Sequence, residues 1–224
     1  MKIAIFGNGK MGKKISQIAI KKGHEIVCIT DSKRPAKFST IENAEVAIEF
    51  STPTTAFENI KYAIQNGVPV VAGTTGWLEK KEEINKKCLE YNGTFLYASN
   101  FSIGVNIFFK INEEIAKIMK NKNYDTSLHE IHHKHKLDSP SGTAITISKK
   151  LEKILNKNIS ISSERVNKEP GTHLVKYVSD FDKIEVKHSA LNRDGFALGA
   201  IMAAEWIKDK KGIFEMSDVI HELI

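Results

Sequence analysis

Short apolar runs alternate with helical stretches over the first hundred residues. Five apolar runs have the length of buried strands, and three amphipathic stretches between them have the period of helices. Buried strands separated by helices are typical of a parallel sheet with crossover helices. The strands are predicted at 2–6, 25–30, 46–50, 68–73 and 94–99, and the helices at 9–23, 54–67 and 77–93.

The pattern changes after about residue 103. Two segments near the end alternate apolar and polar side chains across turn-like residues, as antiparallel strands do. A strand, a longer helix and two further helices are predicted around them. We therefore expect a second, central α+β unit with a mixed sheet. Its helices are predicted at 105–120 and 143–155, its strands at 125–133, 173–180 and 183–191, and a last helix at 195–210.

A glycine-rich turn follows the first predicted strand. Gly7, Gly9 and Gly12 form G-x-G-x-x-G at the start of the first helix. The first glycine permits the tight turn, the second lets backbone approach a pyrophosphate, and the third lets the helix pack against the strand. The helix N-terminus supplies N–H donors for the phosphates. This strand–turn–helix context predicts a Rossmann-like dinucleotide-binding unit.

An acidic residue supports the same prediction. Asp31 ends the second predicted strand, about 20 residues beyond Gly12, where a carboxylate can accept hydrogen bonds from the adenosine ribose. Its charge would repel a 2′-phosphate and favours NADH over NADPH. Lys33 and Arg34 follow at once and could neutralise such a phosphate, so the preference stays open with a lean to NADH.

Two more loops lie at the carboxyl ends of later strands, where ligands bind in such sheets. They are FSTP at 50–53 and AGTTG at 72–76. Gly73, Thr74 and Thr75 offer backbone N–H groups and hydroxyls beside a bound nicotinamide.

Composition narrows the function classes. The chain carries a net charge of +6, mostly from scattered lysines, without the clustered Arg and interleaved aromatics expected for nucleic-acid binding. Its apolar runs are far short of a membrane span, and no targeting signal is read at the N-terminus. Cys28 and Cys88 have neither disulfide nor zinc spacing, which fits a reducing cytoplasm. We expect no nucleic-acid or membrane partner.

The stretch HEIHHKHKLDSPSGTA, residues 129–144, concentrates candidate chemistry. As a metal site it is weak, because an extended segment would point His129, His133 and His135 one way and His132 the other. Lys134 and Lys136 would also repel a cation. A solvated charged loop is a second interpretation. No metal is expected.

An anion-binding and acid–base site is the interpretation we favour. Histidine can hold or release a proton near neutral pH. Lysine is a fixed positive charge that can anchor a carboxylate. The Ser141-Gly142-Thr143 step opens a helix and presents N–H groups and hydroxyls to an anion. These are the groups that reduction of an unsaturated diacid by hydride requires.

The stretch EIHHKHKLDSPSGTA resembles the signature of the 4-hydroxy-tetrahydrodipicolinate reductase family, also called dihydrodipicolinate reductase. Further similar motifs cover most of the chain: GNGKMG at 7–12, AGTTG at 72–76, ASNFSIGVN at 98–106 and RDGFALGAIMAAEWI at 193–207.

The resemblance implies a domain organisation and an activity. It implies a dinucleotide-binding domain at 1–103 and 194–224, and a substrate-binding domain at 104–193 that builds a homotetramer. It implies reduction of the cyclic diacid 4-hydroxy-tetrahydrodipicolinate, via dihydrodipicolinate, to tetrahydrodipicolinate in the diaminopimelate–lysine pathway. NAD(P)H gives hydride to C4, and C3 is then protonated.

The resemblance also assigns roles to residues by motif position. His132 matches the proton donor, and Lys136 matches a second proton donor that also holds the substrate. His133 matches a substrate contact, and Gly142 with Thr143, joined by Ser141, matches the carboxylate cradle. Cofactor contacts are implied for Gly7, Asn8, Gly9, Lys10, Met11, Gly12, Asp31, Gly73, Thr74, Thr75, Ala98, Ser99, Asn100 and Phe101.

The chain departs from the family pattern in three places. Its glycine loop is one residue shorter than the common form, and the segment 31–44 is short. The family's R-x-G-x-x-G-E-H becomes R-V-N-K-E-P-G-T-H at 165–173, which keeps Arg165, Gly171 and His173. We expect this loss to affect loop order or assembly more than chemistry.

Two other functions fit parts of the pattern. A non-catalytic NAD(H) sensor would bind the nucleotide with the first unit and use the central unit for assembly, but it has no need of His132, Lys136 and the Ser141-Gly142-Thr143 step. A reductase of another diacid would share the fold and the cradle.

Overall fold

The chain divides into two compact units, Met1–Ser102 with Phe196–Ile224, and Ile103–Gly195. A computed structural model describes residues 1–31, 41–134, 136, 138–166 and 169–223. The segment around Lys33 and Arg34, as well as His135, lies outside these ranges. Among the residues placed, no helix is both long and apolar enough to cross a membrane.

The first unit is built on a six-stranded parallel sheet with the strand order β10-β5-β4-β3-β1-β2. The strands are β1 (Lys2–Phe6), β2 (Glu25–Thr30), β3 (Val46–Glu49), β4 (Val70–Ala72), β5 (Thr94–Tyr97) and β10 (Gly212–Glu215). The helices of this unit are α1 (Lys10–Lys21), α2 (Pro53–Gln65), α3 (Lys81–Glu90), α6 (Asp194–Ile207) and α7 (Met216–Leu223).

Nearly continuous burial of the central strands explains why this sheet is parallel. All four residues of β3 and of β5 are buried, as are all three of β4. Strands that are apolar on both faces need helices on both sides, which crossover connections provide. The indole of Trp77 lies edge-on to Phe95 and Tyr97 within this core. The expected parallel sheet is confirmed.

The second unit is a four-stranded mixed sheet with the order β7-β6-β8-β9. Its strands are β6 (Asp125–His133), β7 (Ser160–Val166), β8 (Thr172–Val178) and β9 (Lys183–Ser189), and its helices are α4 (Ile103–Met119) and α5 (Gly142–Leu155). β6 runs parallel to β7 and antiparallel to β8, which is antiparallel to β9. The mixed sheet expected from the sequence is confirmed.

One face of this sheet packs on the helices. Leu128, Val175 and Tyr177 form a core with Phe108 of α4 and Ile147 of α5. β6 alternates strictly between buried and partly exposed residues, as a strand with one covered face does. The opposite face is therefore more accessible to solvent.

The sequence pattern predicts neither β7 nor β10. Residues 160–166 form β7, and residues 212–215 form β10 at the edge of the first sheet. Residues 165–173 do not form one strand. Arg165 lies on β7 and His173 on β8, on either side of β6.

Candidate active site

The glycine turn of the first unit has the packing expected for a dinucleotide site. A Cβ at Gly7, whose φ is +109°, would stand 2.2 Å from the Phe50 carbonyl oxygen. One at Gly12 would stand 1.9 Å from the Gly7 carbonyl oxygen. A Cβ at Gly9 would meet no described atom within 4 Å. The first and third glycines thus serve close packing, while the second leaves its backbone open to a ligand.

A cavity of about 700 Å³ opens beside this turn. Four residues for which cofactor contacts are predicted line it: Gly7, Asn8, Gly9 and Asp31. Asp31 directly follows β2, and its carboxylate lies 3.5 Å from the Asn8 amide nitrogen. The remaining lining residues are Thr30, Phe50, Ser51, Thr52, Thr55 and Asn59.

Those remaining residues come mostly from the FSTP loop and the start of α2. The sequence places this loop where ligands bind in such sheets but predicts no contact for its residues. Glu49, which is fully buried, shapes the loop because its Oε1 accepts hydrogen bonds from the amide and the hydroxyl of Ser51. The pKa of Glu49 is raised overall because the side chain is buried. Hydrogen bonds from Ser51, Thr74 and Asn59 lower the pKa but do not outweigh burial.

The other predicted cofactor residues do not line this cavity. Gly73 packs on the Phe50 ring, since a Cβ there would stand 2.2 Å from the ring, and Phe101 lies 5.6 Å from Phe50 between centroids. Thr74 is buried and accepts the Trp77 indole hydrogen bond on its carbonyl, 2.7 Å. Lys10, Met11 and Gly12 lie in the first turn of α1, Thr75 is exposed, and Ala98, Ser99 and Asn100 follow β5.

In the second unit, β6 sorts the histidines by face. His132 shares the buried face with Glu130 and Leu128, whereas His129 and His133 lie on the opposite face with Ile131. The alternation predicted for His129, His132 and His133 is confirmed. His133, a predicted substrate contact, is therefore not brought to the same side of the strand as His132.

A fully buried carboxylate organises the covered face. Glu130 Oε1 accepts hydrogen bonds from Arg165 Nη2 at 2.9 Å and from the Ser141 amide at 3.1 Å. Glu130 Oε2 lies 3.0 Å from His132 Nδ1 and 3.9 Å from His173 Nε2. Glu130, Arg165 and His173 were given no catalytic role from the sequence, because only folding brings three strands together here.

The protonation states follow from this packing. Burial raises the pKa of Glu130, but hydrogen bonds from Ser141, Ser163 and Arg165 outweigh it and hold the pKa at about 2. Burial lowers the pKa of His173 to about 4, assisted by the neighbouring His132. Burial also lowers the pKa of His132, while the charge of Glu130 opposes this. At neutral pH Glu130 is an anion and His173 is neutral.

A metal ion is not needed to explain this cluster. Glu130, His132 and His173 bring their oxygen and nitrogen atoms within 4.8 Å of one another. The Arg165 guanidinium already neutralises the carboxylate, and the charge of Lys136 acts on both imidazoles. We assign no metal to these residues.

The helix-opening step lies directly beside the cluster. Ser141 caps α5, because its side-chain oxygen accepts a hydrogen bond from the Ala144 amide at 3.1 Å. The same oxygen lies 3.3 Å from His173 Nε2. Gly142 is exposed, and a Cβ there would meet no described atom within 4 Å. Thr143 follows in the first helical turn.

Lys136 stands between this helix and β6. Its Nζ forms an ion pair with Asp138 Oδ1 at 2.9 Å, and its backbone amide donates to the His133 carbonyl. The pKa of Asp138 is lowered overall. Burial raises it, but the hydrogen bonds from Lys136 and from the Gly142 amide outweigh burial. The Asp138 carboxylate thus already binds Lys136 and the Gly142 amide, which indicates that these donors suit an anion.

Comparison with known proteins identifies the family. The model of the N-terminal part of dihydrodipicolinate reductase matches residues 1–101, and that of the C-terminal part matches residues 104–220. The chain belongs to the dihydrodipicolinate reductase family. It is therefore an NAD(P)H-dependent oxidoreductase of the lysine and diaminopimelate pathway, and the sensor alternative is wrong.

Individual relatives of the family cover the whole chain. A 4-hydroxy-tetrahydrodipicolinate reductase of Christiangramia forsetii is 43% identical, over 100% of this chain and 99% of the relative. One of Thermosipho africanus is 36% identical over 99% of both chains. The dipicolinate-bound dihydrodipicolinate reductase from Paenisporosarcina sp. TG-14 has a TM-score of 0.82 at 22% identity, covering 97% of this chain and 98% of its own. That structure confirms the fold.

Proposed function

We propose that the chain reduces 4-hydroxy-tetrahydrodipicolinate, via dihydrodipicolinate, to tetrahydrodipicolinate. The observation that supports this most is that His132 and the start of α5 both meet the buried Glu130 carboxylate, while Lys136 is close enough for its charge to act on His132. That grouping offers a proton, a cation and amide donors within one segment. Relatives that carry the name of this activity cover the full chain.

We further propose that the first unit, extended in the sequence prediction to 1–103 and 194–224, holds the dinucleotide. The open backbone at Gly9 and the cavity lined by Asp31 fit its pyrophosphate and ribose. Gly73 to Thr75 and Ala98 to Phe101 are proposed for the nicotinamide end. Bound NAD(P)H supplies the hydride for C4 of the ring. We propose NADH as the better cofactor, because the Asp31 carboxylate repels a 2′-phosphate.

The second unit, 104–193 in the prediction, is proposed to bind the substrate. Gly142 and Thr143 would donate backbone hydrogen bonds to one carboxylate, helped by the partial positive charge at the start of α5. Ser141 would shape this cradle as the helix cap, and Lys136 would exchange Asp138 for the substrate. His133 would contact the substrate from the end of β6.

His132 is proposed to deliver the proton. After water leaves the 4-hydroxy compound, hydride addition at C4 makes an enamine-like anion, and His132 transfers one proton to C3. Its pKa is lowered by burial in the free protein. The two carboxylates of the substrate would raise the pKa of His132 on binding, since nearby negative charge favours the imidazolium. Lys136 would act as the second proton donor.

We also propose a homotetramer in the cytoplasm. The sheet of the second unit exposes one face, and its β8–β9 turn carries Phe181, which is 94% exposed. Apolar patches, rather than single apolar side chains, commonly mark an interface, and Val178 and Ile184, three residues to either side of Phe181, are exposed as well. Light scattering after gel filtration would give the mass of four chains, and a monomer would contradict this assembly.

A coupled assay tests the activity. The purified protein receives freshly made product of dihydrodipicolinate synthase together with NADH or NADPH. The proposal predicts loss of absorbance at the nicotinamide band only when that product is present, and faster loss with NADH. No loss with either cofactor would contradict the proposed reaction.

A further inference from the structure

The two oxygens of the buried Glu130 carboxylate have different surroundings. Oε1 is satisfied by Arg165 and the Ser141 amide, whereas Oε2 makes no hydrogen bond within the described residues. The atom that lies 3.0 Å from Oε2 is Nδ1 of His132, which is also buried without a hydrogen bond among them. Two polar atoms of this kind are costly to bury unless they pair with each other.

Pairing requires only that the imidazole carry its hydrogen on Nδ1. Glu130 is ionised at neutral pH, so Oε2 can only accept a hydrogen bond. A hydrogen on Nδ1 would then point at an acceptor, whereas a lone pair on Nδ1 would face a negative charge. The two atoms are already 3.0 Å apart, which is a hydrogen-bond distance, although the present ring orientation does not make the bond.

His173 does not take the place of His132 in this pair. Its Nε2 is 3.9 Å from Glu130 Oε2 but 3.3 Å from the Ser141 hydroxyl. Its ring stands edge-on to His132, with the centroids 5.1 Å apart, and so limits rotation of that imidazole. His173 therefore forms a neutral wall of the site.

We infer that Glu130 is a positioning residue that keeps a hydrogen on Nδ1 of His132 and thereby makes Nε2 the atom that exchanges a proton with the substrate. The inference deepens the proposed function and rests on it for the identity of the substrate. When Nε2 gives its proton away, the neutral ring that remains carries its hydrogen on Nδ1, directed at Glu130. The carboxylate therefore stabilises the form of His132 that proton transfer leaves behind, and its charge favours the imidazolium beforehand.

The replacement Glu130→Gln tests this inference. It turns the hydrogen-bond acceptor that faces His132 Nδ1 into a donor, and the side chain keeps its size and shape. The Gln carbonyl oxygen can still accept from Arg165 and the Ser141 amide, which leaves its NH₂ group facing Nδ1. An NH₂ group donates, so the His132 hydrogen should move to Nε2. Glu164→Gln is the matched control, since Glu164 is an exposed neighbour of Arg165 on β7.

Nitrogen NMR of protein labelled with ¹⁵N-histidine reads the tautomer directly. We expect the Nδ1–H form for His132 in the wild type and in Glu164→Gln, and the Nε2–H form in Glu130→Gln. The His132 signal is found by its absence in His132→Ala. A wild-type His132 with its hydrogen on Nε2 would overturn the inference, even if Glu130→Gln does not fold.

Kinetics in the coupled assay give the second readout. We expect Glu130→Gln to lower kcat by about 10²–10⁴-fold, the range for a misplaced general acid, with KM for the substrate changed less than about threefold. Glu130→Asp keeps the charge and should recover part of kcat. Wild-type kcat in Glu130→Gln would also overturn the inference. Absence of turnover in the wild type would count against the proposed reaction, while the NMR result would still decide the tautomer.

Discussion

Gly171 lies against the imidazole ring of His132. A Cβ at position 171 would stand 3.0 Å from His132 Nε2 and 3.2 Å from Cδ2, closer than most such contacts. Gly171 has a φ of +151° and comes directly before β8, whose residue His173 borders the same ring. The absence of a side chain at 171 thus leaves the space in which the His132 ring is held.

Gly171→Ala should lower kcat in the coupled assay by about tenfold or more, because the added methyl displaces a general acid worth about 10²–10⁴-fold. Gly67→Ala is the matched control. Gly67 also has a positive φ, +72°, but a Cβ there would meet no described atom within 4 Å. The control should lose stability through backbone strain and keep kcat. Equal kcat values for the two variants would show that Gly171 does not position His132.

Two glycines of the same turn should fail in different ways. Gly12→Ala forces a methyl group onto the Gly7 carbonyl and should lower the free energy of unfolding by several kcal/mol, as overpacking against backbone does. Gly9→Ala has free space and should fold as the wild type, yet weaken NADH binding. Urea denaturation and fluorescence titration measure the two effects. A destabilised Gly9→Ala with normal NADH affinity would refute this division of roles.

Asp31→Ala should weaken NADH binding by about 10–100-fold, since hydrogen bonds to a charged group contribute about 1.5–3 kcal/mol. NADPH binding should weaken less or improve, because a negative charge beside the 2′-phosphate is removed. Asp209→Ala removes the same charge from an exposed position and should change neither affinity. Titration with both cofactors decides the matter, and an unaltered NADH affinity would remove Asp31 from the ribose site.

His173 should make the protein less stable as the pH falls from 6.5 to 4. Its folded pKa is about 4, below the ordinary 6.5, so between these values the unfolded chain binds a proton that the folded chain excludes. Stability from this source is complete above pH 6.5 and is lost through that window, on the order of 3 kcal/mol.

Chemical denaturation at pH 7 and at pH 4.5 measures the effect. His173→Gln should show a smaller difference between the two pH values than the wild type. His129→Gln, which replaces a histidine on the other face of the sheet, should behave as the wild type. A wild-type pH dependence in His173→Gln would contradict the assignment to His173.

Local patterns of apolar and polar residues predict most of the strands and helices. The period-2 alternation of β6 separates His132 from His129 because neighbouring side chains on any strand point to opposite faces. The parallel sheet followed from apolar runs long enough to be buried on both faces. β7 was not predicted, because its sequence SISSERV has no apolar run. It is a polar edge strand whose alternate residues are exposed.

The candidate site was predictable only where its residues are close in sequence. His132, Lys136 and Ser141 lie within one motif, and the cap at Ser141 has a local signature. Arg165 and His173 reach Glu130 through strand pairing, which no local pattern encodes. The cavity residues Thr55 and Asn59 likewise depend on how α2 follows β3. The roles of Lys33 and Arg34 stay predictions.

The turnover of His132→Ala beside that of His129→Ala in the coupled assay tests directly whether His132 delivers the proton. The two histidines lie on opposite faces of the same strand, so His129→Ala controls for the general effect of replacing a histidine on β6. We predict that His132→Ala lowers kcat by about 10²–10⁴-fold with unchanged NADH affinity, while His129→Ala stays near the wild type. Turnover of His132→Ala equal to that of His129→Ala would contradict the central claim that His132 delivers the proton.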